Sequence, residues 1–103
     1  MIAATAGVPP EAVMHVPNGG QRSARAGAYL KAEGAVPGYP DIMVFYAWDG
    51  DAFGLALELK IWPGKPSSEQ LKVHEILMDA QWEVHVCYGL GEVEAITKAY
   101  FGK

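Results

Sequence analysis

Asp41, Glu58 and Lys60 are the residues of this chain whose types and spacing suit hydrolytic chemistry. Glu58 and Lys60 stand two apart in the apolar run Leu55-Ala56-Leu57-Glu58-Leu59-Lys60-Ile61, where an extended backbone sends alternate side chains to opposite faces. The glutamate and the lysine therefore share one face. Leu57, Leu59 and Ile61 share the other, which is assigned to the core. Alone, such a pair is better read as a solvated strand edge. Asp41 changes the balance. It follows Gly38-Tyr39-Pro40, a stiff turn in which proline fixes its own φ and pushes the residue before it toward extended geometry. If the strands opened by Asp41 and carrying Glu58 pair as a hairpin, two carboxylates converge, and a hard cation such as magnesium is commonly held by one or two carboxylates with water and substrate oxygens. A bound cation lowers the pKa of water, and Lys60 is placed to orient that water or to stabilise charge developing on a phosphate. Gln70 is a further polar residue at helical spacing with Val73 and Leu77, read either as an amide at the core edge or as a group that positions water or phosphate.

The elements that must carry these residues follow from the pattern. Residues 13–16 read as a short strand closed by Pro17-Asn18-Gly19-Gly20, and residues 23–33 favour a helix that Gly34 ends. Residues 41–48 and 55–62 are rich in strand formers, with Asp49-Gly50-Asp51 as the turn between them. Pro63-Gly64-Lys65-Pro66 breaks the sheet. Ser67 or Ser68 then caps a helix running to Ala80, with Val73, Ile76, Leu77 and Ala80 as its apolar stripe. Residues 84–88 read as a buried strand, and residues 92–101 as a closing amphipathic helix with Val93, Ile96 and Tyr100 on one side. The fold class expected is α/β or α+β: a central mixed sheet flanked by helices.

Composition sets the bounds. A chain of 103 residues, 50% hydrophobic and 19% charged, suits one folded domain over residues 1–103 rather than a disordered tail. The net charge of −4 argues against indiscriminate coating of nucleic acid. The charge is uneven, however. Arg22, Arg25 and Lys31 fall in one segment and Lys60, Lys65 and Lys72 in another, while Glu75, Asp79, Glu83, Glu92 and Glu94 crowd the last third. One face is thus expected to meet phosphates, with Asn18-Gly19-Gly20 presenting backbone N–H groups and Arg22 and Arg25 presenting guanidinium groups. Cys87, the single cysteine, lies in an apolar run and is read as a buried small hydrophobe, which points to a reducing interior. With no basic, apolar leader and no stretch of membrane-spanning length, a cytoplasmic location is expected. His15, His74 and His85 lack the spacing of a zinc site and are read as structural or surface residues, and Trp48, Trp62 and Trp82 as packing residues.

In this order, Asn18-Gly19-Gly20, Gly38-x-Pro40-Asp41, Glu58-Leu59-Lys60, Lys65 and Gln70 resemble the VRR-NUC branch of the PD-(D/E)xK nucleases, from about residue 15 to the end. The resemblance implies Mg2+ or Mn2+ held by Asp41, Glu58 and the Leu59 backbone carbonyl, with Lys60 as catalytic lysine and Gln70 beside them. From the residue types, with a simple turn at Asn18-Gly19-Gly20 as the alternative, DNA contacts are expected at Asn18, Gly19, Gly20, Arg22, Arg25 and Lys65. The resemblance also implies a homodimeric endonuclease acting on branched DNA such as a Holliday junction, like stand-alone phage and bacterial members. The family often has an N-terminal glutamate near the metal. Here only Glu11 precedes His15, leaving that place to Glu11, to water or to a partner subunit. The competing readings are an idle DNA-binding module of the same fold and an unrelated interaction domain.

Overall fold

The computed structural model describes residues 7–16, 37–46 and 52–102. After a 3-10 turn at Pro10–Ala12 come β1 (Val13–His15), β2 (Ile42–Val44), β3 (Gly54–Leu59), α1 (Ser68–Asp79), β4 (Trp82–Cys87) and α2 (Leu90–Phe101). The sheet order is β1-β2-β3-β4. β2 pairs antiparallel with both β1 and β3, and β3 pairs parallel with β4, so the sheet is mixed, as expected. Strands that run parallel need a long connection, and α1 supplies it.

Two apolar layers result. Ile42, Val44, Leu55, Leu57 and Cys87 pack with Val93 and Tyr100 of α2 on one face of the sheet. On the other, Met43 and Ala56 pack with Val73 and Leu77 of α1. β3 is interior and covered on both faces, its residues buried from Gly54 through Glu58. This corrects the expectation of a single core face on β3. A helix crossover lays α1 over the face that carries Glu58, as parallel pairing generally does. Leu59 and Ile61, assigned to the core, are 40% and 89% exposed, because the chain leaves the sheet at that end.

The helix limits follow local chemistry. Ser67 accepts a hydrogen bond from the Gln70 N–H while its own N–H donates to the Gln70 side chain, a reciprocal cap that starts α1. The buried stripe of α1 is Val73, His74 and Leu77, whereas Ile76 is 59% exposed and Ala80 lies beyond the helix end, also exposed. On α2, Val93 and Tyr100 are buried and Ile96 half-buried as expected, and Thr97 joins them by donating its hydroxyl to the Val93 carbonyl. Gly38 occupies left-handed space at φ +101°, and a Cβ there would stand 2.6 Å from the Glu69 carbonyl oxygen in the first turn of α1. The predicted helix over residues 23–33 and the loop Asn18-Gly19-Gly20 lie outside the described residues.

Candidate active site

Register brings the two carboxylates together. Ile42 lies opposite Leu57, so one step further along the antiparallel pair places Asp41 across from Glu58. Alternation puts Asp41, Met43, Ala56 and Glu58 on the face covered by α1. Pro40 is fully buried ahead of Asp41, and the Leu59 N–H donates to Asp41 Oδ2 at 2.7 Å. The aspartate is thereby tied to the end of β3. An extended residue points its N–H and C=O to the same strand edge, so the Leu59 carbonyl is on the edge facing Asp41.

Glu58 is 1% exposed, at a depth where an ionised carboxylate is costly unless it is hydrogen-bonded. Two polar side chains from α1 meet it. Gln70 Nε2 donates to Oε2 at 2.9 Å, and His74 Nε2 lies 3.2 Å from Oε1. Burial above all, then the charge of Asp41 and a hydrogen bond between the two acids, raise the Glu58 pKa to about 7 against the opposing pull of Lys60. Burial, with the positive charge of Lys60, holds the His74 ring below its usual range. Lys60 itself sits just past β3, half-buried, with its N–H bonded to the Cys87 carbonyl.

This donor set suits a divalent cation. Two acids are held against each other at the cost of a raised pKa, and a hard cation relieves that repulsion while accepting carboxylate and carbonyl oxygens. Among the described residues no group of three or more His, Cys, Asp and Glu side chains converges to hold a metal. Glu11 is exposed on the 3-10 turn before β1. A cation here would therefore rest on Asp41, Glu58, the Leu59 carbonyl, water and substrate.

The other residues singled out by type and spacing divide. Asn18, Gly19, Gly20, Arg22 and Arg25 lie outside the described residues, as does Trp48. Lys65 is exposed in the loop joining β3 to α1, next to Gly64, whose carbonyl accepts from the Tyr88 hydroxyl at 2.8 Å. Trp82 packs edge-on against Phe45 at 5.1 Å between ring centroids. Trp62, expected to pack, is 76% exposed and touches Tyr88 edge-to-face at 5.6 Å. Cys87 is fully buried, which pushes its thiol up to about 11 and makes it inert. His74 is the residue that sequence reasoning missed. The signal was its position four after Gln70, which puts both on one helix face.

A solved structure described as "VRR_NUC domain protein" superposes on this chain with a TM-score of 0.74, covering 89% of this chain and 69% of that one at 24% identity. The fold is that of a VRR-NUC domain. No protein-family model matches the chain, and no curated protein does. In this chain the end of β3, where Asp41, Glu58, Gln70 and His74 meet, is the candidate site. No helix among the described residues is long and apolar enough to cross a membrane.

Proposed function

We propose that this chain is a metal-dependent deoxyribonuclease that hydrolyses phosphodiester bonds. The observation that carries the reading is the buried Glu58 carboxyl set against Asp41 at the end of β3, with Lys60 two residues on along the same strand direction. The likeness to a VRR-NUC domain supports it. Asp41, Glu58 and the Leu59 carbonyl hold Mg2+ or Mn2+, which when bound supplies positive charge at the phosphate and lowers the pKa of water. Asp41 keeps its carboxylate aimed through the Leu59 N–H. Gln70 keeps the Glu58 carboxylate in place. Lys60 offers its ammonium to the attacking water or to the charge that builds on the phosphate. Water loses a proton to solvent as its oxygen bonds to phosphorus, the bond to the leaving oxygen breaks, and that oxygen takes up a proton from solvent, giving a phosphomonoester and an alcohol.

The finer reading is a two-fold homodimer acting on branched DNA. A net charge of −4 leaves one copy with a narrow basic footprint, drawn from Arg22, Arg25, Lys31, Lys60, Lys65 and Lys72. Pairing doubles it and fixes two sites for paired cuts, and two-fold closure is the commonest route to small assemblies. One experiment tests both levels. Calorimetry with Mn2+, followed by cleavage of junction, flap, linear duplex and single-stranded DNA with and without chelator, is run at a concentration where light scattering gives the mass. We expect metal binding that Asp41→Ala removes, chelator-sensitive cleavage, preference for branched DNA and a dimer mass. Absence of divalent binding overturns the nuclease reading. A monomer that cuts all substrates equally overturns only the finer one.

A further inference from the structure

We propose that His74 is a positioning residue for the metal-ligating carboxylate: together with Gln70 it clamps Glu58 in one orientation by donating from Nε2. The inference rests on the nuclease reading and adds to it a residue for which neither the fold likeness nor the motif spacing has a role. The reciprocal cap at Ser67 fixes the first turn of α1, so Gln70 and, one turn later, His74 present side chains to the same place. Their donors reach different oxygens of one carboxylate, Gln70 to Oε2 at 2.9 Å and His74 to Oε1 at 3.2 Å. A single donor leaves a carboxylate able to rotate about its last bond. Two donors on opposite oxygens make rotation cost a hydrogen bond, while each oxygen keeps lone-pair capacity for a cation.

His74 is 5% exposed and Glu58 1%, so no bulk water stands ready to replace the lost donor. On α1 the buried neighbours Val73 and Leu77 offer packing and no donor, and Gln70, one turn earlier, is already committed to Oε2. Hydrogen-bond partners of metal ligands typically govern affinity by about tenfold to a hundredfold.

The test compares His74→Phe, which keeps ring volume and loses the donor, with His74→Gln, which keeps an N–H donor. Mn2+ affinity by calorimetry and thermal melting are measured for each. The expected result is Mn2+ binding weakened about tenfold to a hundredfold in His74→Phe and restored toward wild type in His74→Gln. Nitrogen NMR of the wild-type ring, loaded with Mg2+, should show the proton on Nε2, a readout that holds even if a variant fails to fold. Wild-type affinity in His74→Phe, or a ring protonated only at Nδ1, overturns the inference. Failure of the wild type to bind Mn2+ instead sinks the nuclease reading beneath it.

Discussion

The two faces of the sheet are built on opposite principles. Against α2 the core contacts are apolar: Ile42, Val44, Leu55 and Leu57 meet Val93 and Tyr100, Thr97 turns its hydroxyl back onto its own helix, and the polar groups of that face, the half-buried His85–Glu83 pair and the Tyr100 hydroxyl, are satisfied among themselves or by backbone. Against α1, an apolar half formed by Met43, Ala56, Val73 and Leu77 gives way at the end of β3 to Glu58, Gln70 and His74. The same strand serves both, one residue apart. Leu57 is fully buried toward α2 and Glu58 nearly so toward α1. The lesson is that one face supplies the stability that lets the other hold a carboxyl at the wrong pKa.

Substitutions on either face break this division in different ways. The largest effect is expected from Lys60→Ala, which should fold and bind Mn2+ as the wild type does while losing about a hundredfold or more in cleavage rate, as removal of a charge-stabilising group in a catalytic site does. Near-normal turnover in single-turnover assays would place Lys60 outside the chemistry. Next, Leu57→Ala should cost about 2–5 kcal/mol in denaturant unfolding, through lost burial and the cavity left behind. The molecules that remain folded should keep their Mn2+ affinity. A large affinity loss there would mean that the two faces are coupled more tightly than their packing suggests.

The smallest effect sharpens the comparison through pH. The folded pKa of Glu58 is raised to about 7 from an ordinary 4.5, so the metal-free folded state binds more protons than the unfolded chain between those values. Its contribution is fully present below about 4.5 and is lost as pH rises through about 7. The groups facing it are Asp41, which adds to the rise, Lys60, which opposes it, and the donors Gln70 and His74. Relative to Glu58→Gln, the metal-free wild type should therefore melt at progressively lower temperature from pH 5 to pH 8. Mn2+, which favours the ionised form, should reverse that trend. Parallel melting curves for the two proteins would show that Glu58 ionises normally.

The meeting of Asp41 and Glu58 in the candidate site was legible because its pieces are local. The Gly38-x-Pro40-Asp41 turn and the period-two run around Glu58 sit in strands close enough to pair, and register does the rest. The strand, helix, strand, helix order after residue 54 was legible for the same reason, as periodicity and Ser67 mark its limits. What escaped depended on tertiary partners. A helical stripe through Val73 and Leu77 can extend toward Ile76 or toward His74, and periodicity favours the isoleucine. The choice fell to the histidine because a buried carboxylate on β3 needs donors and an alkyl chain has none. The end of β3 escaped too, since Leu59, Ile61 and Trp62 have strand propensity and nothing local says where the neighbouring strands stop.

The close approach at Gly38 has a reach beyond its own turn. The segment that delivers Asp41 rests directly on the backbone of Glu69, next to the Gln70 that holds Glu58, with no room for a Cβ between them. Any side chain at position 38 would act as a shim, prising the loop of one acid away from the helix that steadies the other. The spacing of the two acids is thus gauged by an atom that is missing, at a residue that takes no part in the chemistry.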